Sequence, residues 1–292
     1  MRFAVFPAIR AGAVLAAIAL PFAIALPFTT QPQTGASRLV LASATDQRGR
    51  ALVDVGADDF VVQEGAATRE VLSVRIADYP IVVLLDAGAG AEDFLLMQKA
   101  AVHFIERLGA ERPVVAGVFG GPPKLVATFD DDRPTVLERV NALTPAASDG
   151  SQLLSGVALA SQTLHATGSL FSAVVALSAV PLSDAHDGES SPDDAIGRIV
   201  DAGAIVHVIG NQKMAGGRVM RALRGLVDQT RGEYTPIYAA ASYQAALDRL
   251  ADRLSNELLI EYLVPPGSKP NDVKVGIRIP GGRVRGLGVA PR

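Results

Sequence analysis

Ile81-Val82-Val83-Leu84-Leu85 is apolar at every position. A strand with one buried face alternates apolar and polar residues, so a run without alternation must be covered on both faces. Such strands belong to mainly parallel sheets with helices packed on either side. The residues that follow agree. Phe94, Met97, Ala101, Phe104 and Leu108 recur at helical spacing and predict a helix near 93–108. Strands at 113–119 and 124–129 come next, then a helix at 133–143 with Asp132 as its cap, and a helix at 152–165. A strand at 172–177, helix 192–202, strand 204–209, helix 218–230, strand 233–237 and helix 243–254 complete the alternation. The pattern predicts an α/β fold over residues 80–256: a Rossmann-like, doubly wound, mainly parallel sheet.

Both flanks read differently. Leu39-Val40-Leu41, Leu52-Val53-Asp54-Val55, Phe60-Val61-Val62 and Val71-Leu72-Ser73-Val74 are short β-like runs separated by turn residues. At the other end, 258–264 and 273–279 read as strands around Pro265-Pro266-Gly267, and Pro280-Gly281-Gly282 marks a further turn. The tail, 257–292, is expected to pair with 37–79 into one small β unit built from both chain ends.

The first 36 residues set the expected compartment. Arg2 and Arg10 stand at a start without acids, residues 11–28 are apolar, and small residues follow. That is the pattern of a secretory signal peptide, with Ala23-Ile24-Ala25 and Thr34-Gly35-Ala36 as candidate cleavage sites. An uncleaved anchor is the alternative, and the only expected contact with a membrane. Either reading places the bulk of the chain outside the cytoplasm, in the periplasm, in the cell envelope or secreted. There is no cysteine, which excludes disulfides and thiolate zinc sites. Losing residues 1–36 removes two arginines and no acid, so the formal net charge moves from −3 to −5. Such a balance does not suit nucleic acid. The basic tail after Val264, six Lys/Arg against Asp272 alone, reads as the charged edge of a sheet.

In open parallel sheets, function gathers at the carboxyl ends of the strands. Three loops there are informative. Asp86-Ala87-Gly88-Ala89-Gly90 follows the first buried strand, Asp149-Gly150-Ser151-Gln152-Leu153 precedes a helix, and Ser178-Ala179-Val180 ends the strand at 172–177. Their order resembles the von Willebrand factor type A domain. That family opens on Asp-x-Ser-x-Ser, continues with Gly-Gly-Thr-x-Leu and then Thr-Asp-Gly, and these segments line a Mg²⁺ site. Asp86 and the hydroxyl of Ser151 match the pattern. Gly88, Gly90 and Ala179 stand where the family has two serines and an aspartate. The flanks resemble a group of exported bacterial proteins, rich in acidobacterial members, in which Asp58-Asp59-Phe60 and Glu64-Gly65 have counterparts ahead of the domain. A β tail like Tyr262-x-x-Pro265-Pro266 and Val273-Lys274-Val275 closes those proteins.

The resemblance implies a binding or adhesion module. Mg²⁺ requires near-octahedral oxygen ligands. One carboxylate and one hydroxyl fall short of that, so Asp86, Gly88, Gly90, Ser151 and Ala179 read as vestigial metal positions and no cofactor is expected. Asp184, Asp187, Glu189, Asp193 and Asp194, with His186 among them, form an acidic loop on the same face. Ca²⁺, or Mg²⁺, held there with Asp86 is the competing reading. Gly88 and Gly90 otherwise read as a tight turn that needs small residues. The expected partner is a protein, bound on a face that includes Asp86, Ser151, Ser178, Asp184, His186 and Asp187. A constitutive envelope subunit would share that logic.

Enzyme readings are weaker. Gly88-Ala89-Gly90-Ala91-Glu92-Asp93 approaches Gly-x-Gly-x-x-Gly, but Asp93 replaces the third glycine and the acids would repel a pyrophosphate. A hydrolase lacks the Gly-x-Ser-x-Gly and His-Glu-x-x-His signatures. Of the histidines, His103, His165 and His207 fall on regular elements, which leaves His186 as the one catalytic candidate.

Overall fold

The computed structural model describes residues 35–146, 152–179, 192–211, 217–269 and 271–290. In chain order, β1 spans Ala36–Thr45, β2 Phe60–Glu64, β3 Ala67–Arg69, β4 Val71–Ile76 and β5 Ile81–Asp86. Then come α1 Ala91–Arg107, β6 Val114–Phe119, β7 Lys124–Leu125, α2 Arg133–Asn141, α3 Leu153–Ala166 and β8 Ala173–Ser178. The second half contains α4 Pro192–Ala202, β9 Ile205–Asn211, α5 Gly217–Gln229, β10 Glu233–Ile237, α6 Ser242–Ser255, β11 Glu257–Val264, β12 Val273–Ile277 and β13 Arg283–Ala290.

The main sheet has the order β10-β9-β8-β5-β6-β7 and is parallel except for β7. Every residue of β5, β6 and β8 is buried, as unbroken apolar runs require. Successive side chains of β5 enter opposite layers. Ile81, Val83 and Leu85 pack with α1 and α6, whereas Val82 and Leu84 pack with α3, α4 and α5. The chain leaves β5 toward β6 on one side and returns to β8 on the other, so strand order reverses around the end of β5. Crevices at such a switch point are where open α/β sheets bind ligands.

The flanks form two further sheets. A four-stranded antiparallel sheet has the order β13-β1-β11-β4, and a smaller sheet joins β12, β2 and β3. Val40, Ala42, Leu258, Ile260 and Tyr262 turn toward the smaller sheet with Phe60 and Val62. Leu41, Leu259 and Leu287, on the opposite face, join the cluster of Phe104 and Leu254. The four-stranded sheet therefore lies between the α/β core and the small sheet. The buried Arg38 of β1 pairs with the buried Glu64 of β2 and links the two sheets. Arg69 also pairs with Glu64, at 3.1 Å.

Three expectations need correction. Leu52–Val55 is not a strand. Asp54 has φ 57°, a left-handed conformation that breaks an extended chain, and Val53 is 72% exposed. The strand expected at 124–129 is the two-residue β7, antiparallel to β6. The sequence reading also lacks β13, whose Gly286 and Gly288 weaken its strand pattern.

Candidate functional site

Asp86 ends β5 at the switch point and is fully buried. A buried carboxylate must be paired or hydrogen-bonded. Its Oδ1 accepts the Gly88 backbone N–H at 3.0 Å. Its Oδ2 accepts the Ala179 backbone N–H at 3.0 Å and a longer contact, 3.4 Å, from the Ser178 hydroxyl. The carboxylate thus ties the turn after β5 to the end of β8. Backbone bonds fix the same turn, from Ala87 N–H to the Phe119 carbonyl at 2.6 Å and from Ala146 N–H to the Ala87 carbonyl at 2.8 Å.

Two residues complete this clasp. Gly120 has φ 110°, and a Cβ there would stand 2.4 Å from Gly88 N and 3.0 Å from Asp86 Oδ1, so only glycine fits. Tyr243 of α6 donates its hydroxyl to the Ser178 carbonyl at 2.7 Å. Burial, with the nearby charges of Asp86 and Asp93, pushes that hydroxyl far above the usual tyrosine range, so it stays a proton donor. Neither residue carries a signal in the sequence, because the approaches are between segments far apart in the chain.

The sequence-derived candidates divide. Asp86 and Ser178 are brought together, and both are wholly buried. Gly88 and Ala179 contribute backbone N–H groups. Gly90 corrects an expectation: as N-cap of α1 it has φ −57°, and a Cβ there meets nothing within 4 Å, so the turn does not need glycine at that position. Ser151, Asp184, His186 and Asp187 lie outside the described residues. His103 is a half-exposed neighbour of Asp248, and His165 contacts the Ala202 carbonyl on the surface. His207 is buried.

A divalent cation at the family position needs several fixed oxygens. The described residues around Asp86 offer this one carboxylate, and both of its oxygens already accept protein N–H groups. Among the described residues that is fewer fixed oxygens than such a cation needs. Among the described residues no cluster of three acids or histidines gathers elsewhere. On the same edge, just beyond β10, Tyr238 is 77% exposed.

No protein-family model and no curated protein matches the sequence. Solved structures do. Proximal thread matrix protein 1 from the mussel byssus superposes with a TM-score of 0.50 at 12% identity, over 70% of this chain and 50% of its own. The likeness thus spans about half the length of that protein. Von Willebrand factor type A from Catenulispora acidiphila matches at 0.45 and 14% identity, over 89% and 74% of the two chains. The conserved hypothetical protein BatB from Bacteroides thetaiotaomicron matches at 0.46 and 14%, over 60% and 98%. At these identities the likeness concerns the fold alone. The fold is the Rossmann-like, doubly wound one that the sequence pattern implies. No helix among the described residues is long and apolar enough to cross a membrane.

Proposed function

We propose that this chain is an exported protein-binding module whose loop face, at the carboxyl ends of the main strands, holds its partner without a bridging metal. The observation that carries the reading is the Asp86 carboxylate, spent on the Gly88 and Ala179 amides instead of offered to an ion. A carboxylate so used makes the face rigid, which lowers the ordering cost of association. Contact then falls to exposed groups on that edge. Tyr238 is one, and exposed aromatic side chains are enriched at interfaces. Ser151 and the 184–187 loop are assigned to the same face from the sequence pattern. The basic start and apolar run of residues 1–28 support export. We assign no catalytic residue and no cofactor.

The test is capture of an envelope protein by immobilised chain, with and without EDTA. Capture should persist in EDTA and be lost in Ser151→Arg and Tyr238→Arg, with melting temperatures unchanged. Capture abolished by EDTA would favour the Ca²⁺ or Mg²⁺ reading. Capture untouched by both substitutions would remove the loop face from consideration.

A further inference from the structure

At the opposite end of the main sheet, polar groups are buried between the α/β core and the four-stranded sheet. Ser43 of β1, His207 of β9, Arg231 before β10, Arg253 of α6, Glu257 of β11 and Arg285 of β13 line a cavity of about 20 Å³. A space of that size accommodates one water-sized ligand. His207 and Glu257 are almost fully buried, whereas Arg231 and Arg285 are exposed and lie on the solvent side.

The proton on His207 can be assigned by elimination. An Arg253 N–H group lies 3.3 Å from Nδ1, and a guanidinium only donates, so Nδ1 accepts. Burial, with Arg253 and Arg285 nearby, lowers the imidazole to about 3, so the ring is neutral and its single proton sits on Nε2. That Nε2–H is buried and has no acceptor among the described residues. A buried donor without an acceptor is destabilising, so a ligand that supplies lone pairs is favoured.

The charge of the wall decides which ligand. Arg253 is paired with Glu233, but among the described residues Arg231 and Arg285 have no ion-pair partner. Glu257 is the one acid of the wall, and its carboxylate already accepts the Tyr79 hydroxyl. Burial pushes that carboxyl up to about 7, so near neutrality much of its charge is gone. A water would add two donors to a wall made mostly of donors and leave the cations uncompensated, whereas a small anion accepts from all of them.

We propose that this cavity binds a single-atom monovalent anion, chloride in the first instance, held by the Nε2–H of His207, the Ser43 hydroxyl and the guanidinium groups of Arg253, Arg285 and Arg231. The anion bridges β1, β9, α6 and β13, and so fastens the β unit to the α/β core. It lies at the opposite end of the sheet from the loop face and is independent of the partner-binding reading.

The experiment is a thermal melt of the full chain at constant ionic strength, with sodium gluconate replaced stepwise by sodium chloride or bromide. A ligand that binds only the folded state raises the melting temperature in a saturable way. The halides should produce such a rise, and both His207→Phe and Arg285→Gln should lose it. Arg285 is exposed, so its substitution reports on the anion even if His207→Phe fails to fold. Identical melts in halide and gluconate would overturn the proposal and leave the cavity to water. A halide rise that survives Arg285→Gln would also overturn it.

Discussion

Two buried groups at the junction, Glu257 and His207, oppose each other in their response to pH. Glu257 faces Tyr79 and Arg112 from the starts of β5 and β6, Arg253 from α6 and Arg285 from β13; His207 faces Arg253 and Arg285. Burial raises Glu257 from 4.5 to about 7, so its stabilisation is full below pH 4.5 and is lost as pH rises through 7. Burial lowers His207 from 6.5 to about 3, so its stabilisation is full above pH 6.5 and is lost as pH falls toward 3. Between pH 4.5 and 6.5 the two slopes oppose, each about 1.4 kcal/mol per pH unit. Single substitutions should unmask them. Relative to the parent, Glu257→Gln should lose stability as pH falls from 6.5 to 4.5, and His207→Phe should gain it. Urea unfolding at three pH values measures both slopes, and parallel lines for all three proteins would contradict the assignment. None of this is legible in the sequence. Glu257 and His207 stand 50 positions apart, on strands of different sheets.

Individual elements were legible where burial was complete. The unbroken apolar runs of β5, β6 and β8 announce two-sided coverage, and Asp132 caps α2 as expected, accepting the Thr135 N–H at 2.9 Å. Legibility failed where conformation or a remote neighbour decided. Asp54 turns the chain out of an apparent strand, and β13 is an edge strand whose two glycines hide its period. A helix contact of the same hidden kind joins α1 to α2. Gln98 is buried, and its side-chain amide donates to the carbonyls of Val140, Asn141 and Leu143 at the end of α2. Gln98→Met keeps the volume and removes the donors. It should cost about 1–3 kcal/mol by chemical denaturation, the usual cost of stranded buried acceptors. A cost near zero would mean that solvent reaches those carbonyls.

At the scale of the whole molecule, the packing joins the flanking sheets to the main sheet. Leu41, Leu259 and Leu287 complete the same apolar cluster as Phe104 and Leu254. Arg112 donates to the Leu254 carbonyl at 3.1 Å and lies 5.1 Å over the Tyr79 ring. β11 pairs with both β1 and β4, so it is the strand on which the four-stranded sheet depends. A chain ended after Asn256 should therefore melt well below the full chain, with exposed apolar surface reported by dye binding. An unchanged melting temperature would make residues 80–256 an independent domain.

The candidate site was legible in part for the same reason. Asp86 stands out at the end of a buried strand, but its hydrogen-bond partners Ser178 and Ala179, and Gly120 and Tyr243 packed beside them, come from three other segments. The central claim is that these partners have taken the place of a metal. The most direct measurement is a thermal melt of the full chain in EDTA, then in millimolar Mg²⁺, Ca²⁺ or Mn²⁺. An ion that binds the folded state must raise the melting temperature by mass action. The expected result is one melting temperature in all four conditions. A saturable rise with any of the ions would contradict the claim, and the loop face would then be a working metal site.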